Sequence, residues 1–191
     1  MRLLVLGGSF NPVHLGHLAM AEEVRGEFGY DRALLVPSLR PPHKSVSEEP
    51  GADRRVEMLR LAIGDDESLA IDLCDIERGG TSYTIDTLDD LRSRHPVDGK
   101  LGLLIGDDLV PGFQSWRRPD ELAEAADIIC AHRWSVEELP FRFPHRYAHN
   151  GIVRISSSDI RERIAAGRPY RRLVDPSVFR YIVENGLYGL R

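Results

Sequence analysis

The chain has 191 residues, 42% of them hydrophobic, and its 25 Lys and Arg against 30 Asp and Glu leave a formal net charge of −5. This length supports one sizeable core, so we expect a single domain over residues 1–191, and the acidic balance argues against a nucleic-acid-binding face. Cys74 and Cys130 are too few for a disulfide scaffold or a CxxC zinc site. Without a run of about 18 apolar residues or a signal-peptide pattern, we expect a cytoplasmic protein with no membrane partner.

Apolar runs and helical patterns alternate along the chain. The apolar runs predict strands at 3–6, 33–37, 68–73, 100–106, 126–132 and 151–155. The helical patterns predict helices at 19–28, 53–63, 84–94, 119–125, 158–166 and 176–185. This alternation predicts an α/β fold with a doubly wound parallel sheet, and residues 156–191 are expected to form a helical C-terminal tail. Segments 38–52 and 133–150 are predicted to be long loops.

The first motif, GGSFNPVHLGH at residues 7–17, lies between a strand and a helix. Its glycines let the backbone approach a ligand closely, and His14 and His17 stand where free N–H groups and the helix dipole favour anions. The motif is neither GxGxxG nor GxxxxGK[ST], so it predicts a different kind of phosphate site. Two alternatives are that the histidines only satisfy loop carbonyls or that they chelate a metal, although no third ligand is evident nearby.

The second motif is ISSSDIR at residues 155–161. One of its serines is enough to cap the following helix, which is the purely structural interpretation. The remaining hydroxyls and Arg161 would form a second anion site at the far end of the same sheet edge. Two such sites suggest a polyphosphate lying between them.

These residues carry a family resemblance. Residues 7–17 resemble the GGTFDPxHxGH signature of the T/HxGH nucleotidyltransferases, and ISSSDIR resembles their ISSTxIR element. More narrowly, the chain is similar to bacterial nicotinate-nucleotide adenylyltransferases in PSLRPPHK, DRRVEML, ERGGTSYTIDTL, GDDLVPGFQSW and VFRYIVENGLY. Ser9 and Ser158 replace threonines and keep the hydroxyl, whereas Asn11 stands where the family usually has aspartate.

The resemblance implies a Rossmann-like nucleotidyltransferase fold and a reaction. Nicotinate mononucleotide attacks the α-phosphorus of ATP, which gives nicotinate adenine dinucleotide and pyrophosphate in NAD biosynthesis. ATP brings Mg²⁺ with it, and no resident metal site is expected. Because the attacking phosphate monoester has a second pKa of about 6, it is largely deprotonated at neutral pH and needs no general base.

The resemblance also implies roles for particular residues. The expected catalytic residues are His14, His17, Lys44 and Arg161. The expected ATP-binding residues are Gly7, Gly8, Ser9, Phe10, His14, His17, Gly106, Asp108, Ser157, Ser158 and Arg161. The residues expected to bind nicotinate mononucleotide are Ser9, Lys44, Ser82, Tyr83, Thr84, Asp108, Trp116, Arg117 and Arg133.

Alternatives remain open for several of these residues and for the function. Thr84 could simply cap a helix, and Trp116 could be an ordinary packed aromatic residue. His145 and His149 are predicted in a loop, which makes a metal site there an unattractive interpretation. A phosphopantetheine adenylyltransferase would share the first motif but lack SYTIDTL, and a nucleotide sensor would keep the fold without turnover. A homo-oligomer is left open.

Overall fold

The computed structural model describes residues 1–42 and 50–189. Its strands are β1 (Leu3–Gly8), β2 (Arg32–Pro37), β3 (Leu69–Ile71), β4 (Leu101–Gly106), β5 (Ala126–Ala131) and β6 (His145–Tyr147). Its α-helices are α1 (Leu15–Glu27), α2 (Ala52–Ile63), α3 (Cys74–Arg78), α4 (Thr84–Arg94), α5 (Pro119–Ala125), α6 (Ser157–Ala165) and α7 (Pro176–Glu184). Two 3₁₀ segments, Asp107–Ser115 and Leu187–Gly189, complete the regular structure of these residues.

The strands form one parallel sheet in the order β3-β2-β1-β4-β5-β6. The chain runs outward from β1 in one direction and then crosses back to β4 on the other side of β1. In sheets of this type, ligands bind where the strand order reverses, beyond the carboxyl ends of the strands. The fold therefore places its binding crevice at the ends of β1 and β4.

Helices cover both faces of the sheet. Leu4 and Leu6 of β1 share an apolar cluster with residues of α1, α2, α6 and α7. Leu3 and Val5 point the other way and pack with residues of α3, α4 and α5. This alternation confirms the predicted doubly wound α/β fold with a helical tail. Because the tail shares a core with the sheet, the cluster supports a single domain, which stays a prediction.

The sixth strand differs from the prediction. Residues 151–155 form no strand, and the edge of the sheet is β6, inside the segment predicted as a loop. Side chains bond the backbone near 150: Asn150 pairs with both backbone groups of His132, and Glu23 accepts the Gly151 N–H at 2.6 Å. The Gly151 N–H therefore has a side-chain partner rather than a neighbouring strand, although the segment 151–155 is largely apolar.

Helix α1 begins at Leu15, four residues earlier than predicted. His14 is its N-cap residue, so the end of the first motif forms the first turn of the helix. Among the described residues, no helix combines the length and apolar character that a bilayer crossing requires.

Candidate active site

The first motif forms a tight turn, residues 9–14, which we call the signature turn. Phe10 adopts a left-handed backbone conformation with φ of 47°, and its side chain is 1% exposed. A Cβ atom at Gly8 would lie 3.3 Å from Cζ of Phe10, so glycine there leaves room for the ring. The peptide between Asn11 and Pro12 is cis. This turn carries the chain from β1 into α1 at the predicted crevice.

The two signature histidines stack on each other. Their ring centroids are 3.6 Å apart with 20° between the planes, and the His14 N–H donates to Nδ1 of His17 at 3.3 Å. A Cβ atom at Gly16 would lie 3.1 Å from Nδ1 of His14, which is tighter than ordinary contact. The HxGH spacing is thus explained locally: one helical turn separates the histidines, and glycine lets the first ring fit against the helix.

His14 is a neutral imidazole in this site. It is 2% exposed, and burial together with the nearby charge of Arg133 lowers its pKa to about 3. Neither of its ring nitrogens has a hydrogen-bond partner among the described residues. Because buried polar groups are nearly always paired in folded proteins, these nitrogens are suited to hydrogen-bond a bound ligand or water.

The second motif lies directly against the signature turn. Ser156 caps α6 by accepting the Asp159 N–H, as the structural interpretation expected. Ser157 donates its hydroxyl to the Pro12 carbonyl at 2.8 Å, and Arg161 donates to the Asn11 carbonyl at 2.7 Å. The prediction that the two motifs lie far apart on the sheet edge was wrong, because they are in hydrogen-bond contact.

These contacts also limit what the serines offer to a ligand. The Ser157 proton is directed to Pro12, and the Ser158 hydroxyl accepts from Arg161 at 3.2 Å. In this structure Ser157 therefore ties two segments together, and Arg161 and Ser158 form a polar pair beside the turn.

Asn11 has a defined partner in the tail. Its Oδ1 accepts a hydrogen bond from the Tyr188 hydroxyl at 2.8 Å, and burial raises the pKa of that phenol. An amide oxygen accepts this bond as a carboxylate would, so the change from the usual aspartate preserves the contact while removing a negative charge. Apart from its place in a family-like segment, no sequence pattern pointed to Tyr188.

Arg55 is a second residue that sequence reasoning missed. It is 1% exposed on α2, and it donates to the carbonyls of Ser9 at 2.6 Å and Ser38 at 2.8 Å. Burial lowers the pKa of its guanidinium. An arginine in a helical pattern is usually exposed, so the sequence pattern did not predict that Arg55 is buried.

At the end of β4, the residues predicted to bind substrates pair with each other. Arg133 donates to Oδ2 of Asp108 at 3.0 Å and to the Ile155 carbonyl at 3.3 Å. A Cβ atom at Gly106 would lie 2.4 Å from both Asp108 and Arg133 side chains, so glycine makes room for the ion pair. The buried carboxylate of Asp107 accepts the Arg133 N–H at 3.2 Å.

The segments predicted to hold the pyridine nucleotide come together. The Arg117 guanidinium lies 4.5 Å from the centroid of the Tyr83 ring. Ser82 accepts the Leu39 N–H at 2.9 Å, which leaves its hydroxyl proton available to a ligand. The alternative that Thr84 caps a helix is wrong, because Tyr83 is the N-cap residue of α4 and Thr84 is its first helical residue.

Trp116 belongs to an aromatic group. Its ring stacks on Phe113 at a centroid distance of 4.8 Å, and Phe113 also meets Phe141 and Phe143 at 5.1 Å each. The last two residues come from the segment in which sequence resemblance gave no guidance. Phe113 thus covers part of Trp116, which agrees with a packed aromatic, and its role toward a pyridine ring stays a prediction.

The remaining predicted residues have other surroundings. Lys44 lies outside the described residues. His145 is in β6 rather than a loop, 2.7 Å from the Phe143 carbonyl, and His149 contacts Glu27 at 2.7 Å. Over residues 1–42 and 50–189, no group of three His, Cys, Asp or Glu side chains is arranged to hold a metal ion.

Known proteins share the fold and a sequence family with this chain. The model of the family described as Cytidylyltransferase-like matches residues 5–163. A solved structure titled "Plasmodium falciparum nicotinic acid mononucleotide adenylyltransferase complexed with NaAD" superposes with a TM-score of 0.80. It covers 100% of this chain and 98% of that one at 19% identity, so it supports the fold. Fold and signature turn together define a nucleotidyltransferase of the cytidylyltransferase-like class.

Sequence relatives narrow the class. A protein of Borrelia garinii subsp. bavariensis named "Probable nicotinate-nucleotide adenylyltransferase" is 42% identical over 98% of this chain and 95% of its own. A Streptococcus pyogenes protein with the same name is 39% identical over 96% of this chain and 87% of its own. The chain belongs to the nicotinate-nucleotide adenylyltransferase family of enzymes, which confirms the resemblance read from its sequence.

The buried His14 generates a prediction about pH. Its pKa is about 3 in the folded state and 6.5 in the unfolded chain, so below pH 6.5 the unfolded state binds the proton first. Stability is therefore lost as pH falls from 6.5 toward 3. Between pH 7 and pH 5, the wild type should lose about 2 kcal/mol more unfolding free energy than His14→Gln, whose amide does not titrate. Urea unfolding at both pH values measures this, and parallel losses would contradict a buried neutral His14.

Proposed function

We propose that the chain transfers the adenylyl group of ATP to nicotinate mononucleotide, giving nicotinate adenine dinucleotide and pyrophosphate for NAD synthesis in the cytoplasm. The observation that carries the proposal is the signature turn itself. There, a buried neutral imidazole with unsatisfied nitrogens stands at a helix N-terminus beside His17 and Arg161. The names of the relatives support the choice of acceptor.

The phosphates of ATP lie, in this proposal, along the signature turn and beside the start of α6, which is bonded to that turn. His14 donates one ring N–H as a neutral donor, and the N-terminal amides of α1 add the positive end of the helix dipole. Arg161 supplies a positive charge from the other side. Gly7 leaves the end of β1 uncovered, since a Cβ atom there would meet nothing within 4 Å, whereas Gly8 makes room for the Phe10 ring.

The transfer needs no protein base. An oxygen of the mononucleotide phosphate forms a bond to the α-phosphorus of ATP, while the bond from that phosphorus to the α,β-bridging oxygen breaks. Pyrophosphate leaves with the electron pair of the broken bond, and no proton has to move because the attacking oxygen is already ionised. Catalysis then consists of alignment and of donors aimed at charge on the α-phosphate.

Magnesium enters as part of the ATP substrate. Mg²⁺ prefers oxygen ligands and is commonly held by substrate phosphates with several waters retained. The carboxylate of Asp108 is engaged by Arg133 at 3.0 Å. We therefore assign the principal ligands of the ion to the ATP phosphates.

The pyridine nucleotide lies, in this proposal, between Ser82–Thr84 and the Trp116–Arg117 segment. The Ser82 hydroxyl and the Arg117 guanidinium are donors suited to a carboxylate, and the contact of Arg117 with Tyr83 joins the two segments. The exposed part of Trp116 offers a flat surface to a flat ring. Ser9, Lys44 and Arg133 are assigned to the ester phosphate and the region where the two substrates meet.

Direct assay of pyrophosphate release tests the proposal and its specificity. With ATP and Mg²⁺ held constant, nicotinate mononucleotide should give at least a roughly tenfold higher kcat/KM than its amide, because the amide faces donors with its NH₂ group and leaves hydrogen bonds unmet. Phosphopantetheine serves as a third acceptor. Absence of turnover would indicate a nucleotide sensor, and preference for either other acceptor would overturn the proposed substrate.

Trp116→Ala should weaken the binding of nicotinate mononucleotide by about 1–3 kcal/mol, the range for a base stacked on an aromatic ring. The binding of ATP should be almost unchanged. Trp134→Ala is the matched control, because that tryptophan is 45% exposed outside the aromatic group. Calorimetric titration of each variant with each substrate distinguishes a stacking role of Trp116 from a packing role. Equal weakening of both substrates, or a general fall in Tm, would identify Trp116 as a packing residue only.

A further inference from the structure

Arg55 carries a buried positive charge and has no role in the reaction as proposed above. Its guanidinium donates to two carbonyl oxygens, those of Ser9 and Ser38, and carbonyls are neutral acceptors. Of the residues that the structure describes, none forms an ion pair with it. Its Nε also finds no acceptor there. Because a buried charge without a counter-ion is costly, a bound anion near Arg55 would stabilise it.

The surroundings of Arg55 make the signature turn more positive still. Arg161 donates to the Asn11 carbonyl from the opposite side and likewise forms no ion pair within residues 1–42 and 50–189. Both guanidinium charges act on the Tyr188 hydroxyl, which lies against Asn11. Position 11 holds asparagine instead of the aspartate usual in the family, so its side chain adds no negative charge to the turn. The turn is therefore held between two cations.

Arg55 also sets the orientation of a peptide group. In a trans peptide the carbonyl and the following N–H point in opposite directions. The Ser38–Leu39 peptide illustrates this geometry, since its carbonyl accepts from Arg55 while its N–H donates to Ser82. The Ser9 carbonyl also accepts from Arg55, so the Phe10 N–H points away from α2. No described residue accepts that N–H.

We propose that Arg55 is a positioning residue for the polyphosphate: it holds the Ser9–Phe10 peptide so that the Phe10 N–H faces the phosphates, and the phosphates balance its charge, for which no described residue supplies a counter-ion. The inference rests on the proposed function in placing a polyphosphate at the signature turn. It adds a residue outside the two motifs, acting from behind the turn through a carbonyl. The bound phosphates and the guanidinium lie on opposite sides of one peptide group.

Binding measurements without the second substrate test this role. The affinities of ATP, adenosine and inorganic tripolyphosphate are determined by calorimetry for the wild type, Arg55→Met and Arg60→Met. Arg55→Met should lose roughly tenfold or more in affinity for ATP and tripolyphosphate, because it removes both the alignment of the Phe10 N–H and a nearby positive charge, and less than twofold for adenosine. Arg60 is the matched control, since it is an exposed arginine on the same helix.

Two outcomes would overturn the inference. One is an Arg55→Met protein whose affinities for ATP and adenosine fall by the same factor, which is the result of general loosening. The other is an unchanged affinity for tripolyphosphate. If Arg55→Met does not fold, Arg55→Lys keeps the charge, and it should retain most of the rise in Tm that tripolyphosphate gives the wild type. Loss of that rise in a folded Arg55→Lys would contradict a role of the charge. Turnover by the wild type tests the proposed function separately.

Discussion

The hydrogen bonds that hold the signature turn determine whether the rest of the site can form. The carbonyls of Ser9, Asn11 and Pro12 in this turn accept from side chains rather than from backbone N–H groups, and a buried carbonyl without a donor is destabilising. Arg55, Arg161 and Ser157 supply donors to the carbonyls of three of its residues, from points 46, 150 and 145 residues away along the chain. The proposed phosphate site is consequently assembled only when α2 and the helical tail have packed against the sheet.

Electrostatics follow from the same arrangement. The chain as a whole carries a formal charge of −5, so attraction for ATP has to come from a local field rather than from the protein's total charge. Two guanidinium groups flank the turn, and the dipole of α1 adds to them. His14 contributes without being charged, because the same burial that orients its ring keeps it neutral. In the proposed site, the buried His14 presents a fixed neutral donor to phosphates.

The sequence predicted most of the sheet because buried parallel strands are continuous apolar runs, as in β1, β2, β4 and β5. It did not predict β6, since a three-residue edge strand of His, Arg and Tyr has no such run. It misassigned residues 151–155, where the side chains of Asn150 and Glu23 bond the Gly151 backbone and Arg133 bonds the Ile155 carbonyl. Both motifs at the site were found from glycines, histidines and serines beside a helix start. Arg55 and Tyr188 were missed, because their importance depends on contacts between distant segments that no local pattern records.

The measurement that tests the account most directly is the kcat of His17→Ala. If the stacked histidines supply preorganised donors to the α-phosphate in the transition state, kcat should fall by roughly 10²-fold or more, with ATP affinity and Tm close to those of the wild type. The assay is pyrophosphate release at saturating ATP and nicotinate mononucleotide. A folded His17→Ala protein with a nearly normal kcat would contradict the central claim that this turn is where the transfer is catalysed.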